Sequence, residues 1–72
     1  MEKTIDSLKI AKNIKRIRLI NFMTQEDMAN ILGYSERQVR RLETVGTYNL
    51  YIISLIAETF NVEITDILFG MS

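Results

Sequence analysis

The chain has 72 residues and a formal net charge of zero, and it contains no cysteine, histidine or proline. Without Cys and His it lacks the usual zinc ligands, the usual general base and the usual thiol nucleophile. We therefore expect no enzyme activity, no metal and no other cofactor, and the length predicts one domain over residues 1–72.

The charges are unevenly distributed although they sum to zero. Residues 9–41 contain eight basic and three acidic side chains, a net charge of +5. Residues 42–72 contain four acidic side chains and no basic one. This asymmetry is typical of a protein with a basic face that meets an anion, although an ordinary solvated charge pattern would give the same counts.

The sequence shows neither a secretion signal nor a membrane-spanning segment. Residues 1–7 are polar and charged, unlike a secretion signal. The longest apolar stretch, residues 50–57, is too short to span a bilayer. We expect a cytoplasmic protein.

The first two predicted helices follow from apolar spacing and from end signals. An apolar stripe at i, i+4 and i+7 predicts the first helix; its members are Ile10, Ile14 and Ile17. Asn21 is expected to end this helix in a left-handed conformation. Thr24, followed three residues later by Asp27, predicts the N-cap of a second helix. Gly33 is expected to end it, because glycine adopts a positive φ without a Cβ clash.

Three more helices are predicted in the rest of the chain. Ser35 with Gln38 three residues later forms a capping-box pattern and begins the third helix. A fourth helix is predicted over residues 49–60 and a short fifth over residues 65–69. The residues expected to face inward from the second, third and fourth helices are Met28, Ala29, Leu32, Val39, Leu42, Ile52, Ile53, Ile56 and Phe60.

The second and third helices are separated by a three-residue turn, Gly33-Tyr34-Ser35. Ala29 is small where two crossing helices must approach closely, and Gly33 supplies the unusual backbone angles of the turn. This spacing predicts a helix-turn-helix unit over about residues 24–43, whose second helix would enter the major groove of DNA. The fold class predicted is all-α, a compact five-helix bundle.

At this level of detail the sequence resembles the Cro and lambda-repressor family of helix-turn-helix domains over about residues 9–69. The resemblance lies in the segments Ile14-Lys-Arg-Ile-Arg18, Thr24-Gln-Glu-Asp-Met-Ala29, Leu32-Gly-Tyr-Ser35, Val39-Arg-Arg-Leu-Glu43, Leu55-Ile-Ala57 and Phe60-Asn-Val62. It implies a five-helix bundle, operator binding as a dimer, and transcription regulation. It also implies that Gln25 holds a DNA phosphate and that Arg18 and Glu43 form a structural ion pair.

The third helix carries the candidate base-reading residues, which are Glu36, Arg37, Gln38, Arg40 and Arg41. Arg can contact guanine, Gln adenine and Glu cytosine through base edges in the major groove. Arg40 and Arg41 can instead contact phosphates. Gln38 can serve only as a helix cap. The whole set can equally be an ordinary solvated helix face. The candidate phosphate-binding residues are Gln25, Lys15 and Ser35; Lys15 is one of several basic residues on the first helix that can also be merely solubilising.

Two regions depart from the family pattern. The family often has Gly at the position of Phe22, polar residues at Leu19 and Ile20, and Pro in the loop that here spans residues 44–49. The fourth helix is apolar nearly all round, and surplus apolar surface marks association. A dimer interface is therefore predicted; its residues are Leu50, Tyr51, Leu55 and Phe69, with Met71 as an extension. The alternative is that the small bundle simply covers more of this helix.

The function that these observations favour is a sequence-specific DNA-binding transcription regulator. We expect a repressor that binds a symmetric operator as a homodimer, with double-stranded DNA as its partner and no small-molecule ligand evident. The alternative is a protein-interaction module, such as an antitoxin or antirepressor, built on the same bundle.

Overall fold

The computed structural model describes residues 4–70, and over that range it consists of five α-helices and no strand. The helices are α1 (Ser7–Ile20), α2 (Gln25–Leu32), α3 (Glu36–Thr44), α4 (Leu50–Phe60) and α5 (Ile64–Phe69). In the part of the chain that the structure describes, no helix is long and apolar enough to cross a membrane. The predicted all-α, five-helix architecture is confirmed.

The apolar stripes of all five helices meet in one core. Helix α1 packs against α3 and α5, α2 packs against α3 and α4, and α4 packs against α5. The buried core residues are Ile10, Ile14, Ile17, Met28, Ala29, Leu32, Val39, Leu42, Ile53, Ile56, Ala57 and Ile67. Ile52 and Phe60, which were predicted to face inward, are half-buried and pack against this core.

The end of α1 differs from the prediction. Asn21 has φ −95° and is not left-handed; the left-handed residue is Phe22, with φ 57°. The Met23 N–H donates to the Arg18 carbonyl at 3.2 Å, and an Arg18 guanidinium N–H donates to the Met23 carbonyl at 2.9 Å. These two bonds hold the chain on both sides of Phe22, so the sharp reversal falls on Phe22, whose side chain is 96% exposed.

Helix α2 begins and ends at the predicted residues, and α3 begins at its predicted cap but ends at Thr44, one residue beyond the predicted unit of residues 24–43. Thr24 and Asp27 exchange hydrogen bonds at 3.0 and 2.9 Å, and Ser35 and Gln38 do the same at 3.1 and 2.7 Å. Both helices therefore start with a complete capping box, which satisfies backbone N–H groups that have no partner within the helix. Gly33 ends α2 with φ 77°.

The loop between α3 and α4 is held against the start of α1. Gly46 has φ 75°, and a Cβ built on it would lie 1.9 Å from the Ser7 carbonyl oxygen. The Ser7 N–H donates to the Tyr48 hydroxyl at 3.2 Å. The backbone of the loop therefore packs directly against the backbone at the start of α1. Asn49 then caps α4 by accepting from the Ile52 N–H at 3.2 Å.

Helix α5 starts one residue before the predicted position, at Ile64, and is tied to α1. The buried side chain of Asn13 donates to the Ile67 carbonyl at 2.7 Å, and Ile67 is fully buried. The polar group of Asn13 is therefore satisfied inside an apolar interface. Met71 lies outside the described residues.

Candidate nucleic-acid interface

The turn between α2 and α3 has the geometry of a helix-turn-helix unit. Gly33 is left-handed, and the Tyr34 N–H donates to the Ala29 carbonyl at 2.9 Å. Ser35 then caps α3 directly, so three residues suffice to redirect the chain. Met28, Ala29 and Leu32 on α2 and Val39 and Leu42 on α3 are buried. These contacts fix α3 on the bundle and leave its opposite face exposed to solvent.

The predicted ion pair between α1 and the end of α3 is present. The Arg18 Nε donates to the Glu43 Oε2 at 2.6 Å, and the Nη2 donates to the Oε1 at 3.0 Å. The two side chains are 10% and 3% exposed. The hydrogen bond to Glu43 raises the pKa of the Arg18 guanidinium, although burial acts in the opposite direction. This bidentate pair anchors the C-terminal end of α3.

Gln25 lies at the start of α2, half-buried beside this ion pair. Its Nε2 donates to the Glu43 Oε1 at 3.3 Å. An amide nitrogen carries two hydrogens, so one N–H is left for another acceptor. Gln25 is therefore placed beside the ion pair and keeps the donor that its predicted phosphate contact requires.

Five polar side chains line the exposed face of α3. They are Glu36, Arg37, Gln38, Arg40 and Arg41, the predicted base-reading set. Glu36 and Arg40 form an exposed i, i+4 ion pair at 3.7 Å. Within residues 4–70, Arg37 and Arg41 make no ion pair with a carboxylate. These two arginines are the cations of α3 whose charge is not offset by a neighbouring acid.

Gln38 is partly engaged within its own helix. Its Oε1 accepts from the Ser35 N–H at 2.7 Å as part of the capping box. A bidentate contact to adenine uses both the oxygen and the nitrogen of an amide. Gln38 therefore shares its Oε1 between the cap and the base in such a contact, whereas its Nε2 takes no part in the cap.

Two open grooves flank the exposed face of α3. A groove of about 270 Å³ runs along the helix and is lined by Arg37, Arg40, Arg41, Thr44 and Val45. A second groove, of about 230 Å³, lies towards the α3–α4 loop, and its lining includes Tyr34, Gln38, Arg41 and Thr47. Arg41 lines both grooves.

The remaining predicted phosphate-binding residues are exposed. Ser35 accepts a cap hydrogen bond from the Gln38 N–H through its Oγ, and its own hydroxyl hydrogen is left to donate. Lys15 is exposed on α1, as are Lys9, Lys12 and Arg16. Among the described residues, none of these four cations is in an ion pair.

The predicted dimer residues, here called the α4 patch (Leu50, Tyr51, Leu55 and Phe69), divide into two groups. Leu50 and Tyr51 are 68% and 72% exposed, whereas Leu55 and Phe69 are half-buried within the chain. Leu55 packs against the core. The first turn of α4 therefore presents most of the apolar surface that this patch offers to a partner.

Sequence reasoning missed two contacts that shape the site. The Gln25–Glu43 bond joins α2 to α3, and the Arg18–Met23 bond fixes the turn that leads into α2. The Arg18–Met23 bond had a signal in the sequence, because Phe22 occupies a position where the Cro and lambda-repressor family often has Gly. The Gln25–Glu43 bond had no such signal, since it depends on how two helices cross.

No family model matches the sequence, and no curated protein sequence is detectably similar to it. Several solved structures share its fold. A hypothetical transcription factor, NHTF, from Neisseria superposes with a TM-score of 0.81 at 20% identity, over 96% of this chain and 80% of its own. The restriction-modification controller protein C.AhdI from Aeromonas hydrophila gives 0.74 at 20% identity, over 83% of this chain and 92% of its own. The likeness to these two structures confirms the fold that the sequence predicts.

Proposed function

We propose that this chain is a transcription regulator that binds double-stranded DNA sequence-specifically by inserting α3 into the major groove. The observation that carries the proposal is the presentation of α3. Two capping boxes and the Arg18–Glu43 pair hold the helix on the bundle, while Arg37 and Arg41 face outward without a carboxylate partner within residues 4–70. The fold shared with two proteins described as a controller protein and a hypothetical transcription factor supports it.

The contacts divide by position on α3. Glu36 and Arg37 lie in the first turn, where an inserted helix meets base edges. Arg37 is suited to a guanine, through two donors to O6 and N7. Arg41, one turn later and in the lining of both grooves, reaches either a base or a phosphate. Gln25, Lys15 and Ser35 bind phosphates and set the register of the protein on the duplex.

The regulator acts as a homodimer on a two-fold symmetric operator. Leu50 and Tyr51 supply the exposed apolar surface at which two copies meet. In such a dimer the two α3 helices enter successive major grooves, about 34 Å apart. Occupation of promoter DNA then represses transcription, and the protein acts in the cytoplasm.

The experiment that tests this function is an unbiased selection of DNA sites at two salt concentrations. A recovered consensus with two related half-sites, bound with a steep salt dependence, is the expected result. Negligible affinity for all DNA even at low salt contradicts the proposal and favours a protein-interaction role for the same bundle.

Substitutions of the two α3 arginines test whether α3 is the helix that contacts the bases. Arg37→Ala and Arg41→Ala together should abolish specific binding without unfolding the protein, because both side chains are exposed. A single contact from Arg37 to a base contributes about 1–3 kcal/mol, and its loss relaxes specificity at one position. Arg16→Ala is the charge-matched control on α1: it should leave the consensus unchanged. Retention of the consensus in the Arg37→Ala protein would exclude Arg37 as a reader.

A further inference from the structure

One carboxylate receives donors from two other helices at the edge of the proposed interface. Glu43 of α3 accepts from Arg18 of α1 at 2.6 and 3.0 Å and from Gln25 of α2 at 3.3 Å. We call Arg18, Gln25 and Glu43 the Glu43 cluster. Arg18 and Glu43 are nearly buried, whereas Gln25 is half-buried and lies between the ion pair and solvent. The cluster therefore connects a rigid buried pair to a side chain that solvent or a ligand can reach.

The geometry of an amide makes this connection directional. The amide group is planar and its nitrogen carries two hydrogens. When one hydrogen points at Glu43, the direction of the other is set as well. Gln25 and Arg18 donate to the same oxygen, Glu43 Oε1, which can accept both bonds, so the amide is held without displacing the ion pair.

The charge of the cluster suits a phosphate ligand. An isolated carboxylate beside a phosphate would repel it, but Arg18 offsets the charge of Glu43 within the pair. The second N–H of Gln25 is thus presented next to an ion pair of zero net charge. Preorganised donors of this kind bind with less loss of side-chain entropy than mobile ones.

We propose that Glu43 is a positioning residue for DNA binding: it holds the Gln25 amide so that the second N–H donates to a backbone phosphate. The inference rests on the proposed function and adds a second role to the Arg18–Glu43 pair. The pair anchors α3, and it also prepares the phosphate contact of α2. Loss of the pair should weaken DNA binding even in a protein that folds normally.

The test is a double-mutant cycle on DNA affinity, measured on the selected site by fluorescence anisotropy. One side of the cycle is Gln25→Met, which keeps the methylenes and removes the amide. The other side is the combined Arg18→Met and Glu43→Met replacement, which removes the acceptor while leaving no buried charge unpaired; apolar replacement of a buried pair is often tolerated. Thermal unfolding confirms that each variant is folded at the temperature used.

We expect Gln25→Met to lower affinity on the order of fivefold in the unchanged protein and less than twofold in the protein without the pair. A DNA in which a methylphosphonate replaces one phosphate adds a readout that a structural role alone would not move. The unchanged protein should bind less tightly when the methylphosphonate stands at one particular position. This loss of affinity should disappear in the Gln25→Met protein and also in the protein without the pair. Equal losses from Gln25→Met in both backgrounds would overturn the inference.

A measurement without substitutions covers the case in which a variant does not fold. In the unbound protein, one of the two Gln25 side-chain amide protons should resonate downfield because it is hydrogen-bonded to Glu43. Two amide protons with unperturbed shifts would overturn the inference. If the unchanged protein binds no DNA, the proposed function fails and the phosphate contact with it; specific binding without coupling between Gln25 and the pair contradicts this inference alone.

Discussion

Arg18 uses all three of its guanidinium nitrogens within the protein. Two donate to Glu43 and the third donates to the Met23 carbonyl, so one side chain fixes the end of α3 and the turn into α2. The desolvation of a buried guanidinium is offset only while these acceptors remain. Loss of either partner therefore leaves a nearly buried charge without its counter-ion.

Removing one member of the pair should destabilise the protein more than removing both. Glu43→Met leaves a nearly buried guanidinium without its carboxylate and should lower the free energy of unfolding by about 3 kcal/mol. The combined Arg18→Met and Glu43→Met replacement should recover most of that loss. Urea denaturation followed by circular dichroism measures both. A double replacement that is less stable than Glu43→Met would contradict this expectation, because it would mean that the unpaired Arg18 still stabilises the fold, for example through its bond to the Met23 carbonyl.

The capping carboxylate of Asp27 gives the stability of the chain a dependence on acid. Hydrogen bonds from Thr24 lower the pKa of Asp27 below its usual value. A carboxyl group with a depressed folded-state pKa stabilises the protein above its unfolded pKa of about 4, and this contribution is lost as the pH falls through the folded value. Asp27→Asn should therefore lower the urea midpoint at pH 7 and have progressively less effect below pH 4. Glu26→Gln, in the same turn but outside the capping box, is the control, and a pH-independent effect of Asp27→Asn would contradict this account.

At the scale of the helices, the starts of α2 and α3 were predictable because their caps are local. Thr24, Ser35 and Asn49 each accept a bond from a backbone N–H three residues later, and such short spacings are visible in a sequence. The end of α1 was not predictable from Asn21, because Arg18 and Met23 determine where the chain reverses. The contact between Gln25 and Glu43 was not predictable either, since it depends on the crossing of α2 and α3.

The two glycines in the turns around α3 are a matched pair. Gly33 and Gly46 have φ 77° and 75°, so an added Cβ should cost each of them a similar roughly 1–2 kcal/mol of backbone strain. Around Gly33 the Cβ meets no atom within 4 Å, whereas at Gly46 it would lie 1.9 Å from the Ser7 carbonyl oxygen. Gly46→Ala should therefore lower the melting temperature clearly more than Gly33→Ala. Equal losses in the two variants would mean that the start of α1 moves aside freely.

At the scale of the whole molecule, the basic and acidic parts of the sequence correspond to different helices. The basic excess lies on α1 and α3, and the acidic side chains of residues 58–66 lie on α4, on α5 and between them. A neutral protein can therefore still present a cationic surface to DNA. The proposed dimer joins copies through α4, which keeps the cationic helices available for DNA.

Dimer formation through the α4 patch can be tested by one substitution. Leu50→Glu places a charge on a side chain that is 68% exposed, so the isolated chain should fold as before. We expect sedimentation equilibrium to show a dimer for the unchanged protein and a monomer for Leu50→Glu, with weaker operator binding. Leu8→Glu, at a leucine on α1 that is 60% exposed, is the matched control and should leave the association unchanged. A Leu50→Glu protein that still dimerises would place the interface elsewhere.

The bond between Asn13 and the Ile67 carbonyl joins residues 54 positions apart in a chain of 72. Most other contacts of a helical bundle are closer in sequence and form after the closure of short loops. Contacts between distant parts of a chain carry a larger entropic cost of closure, and they correlate with slower folding. The docking of α5 on α1 is therefore expected to be a late event in folding, after α2 and α3 have paired. A nascent chain would then contain a paired α2–α3 unit before the bundle closes around it.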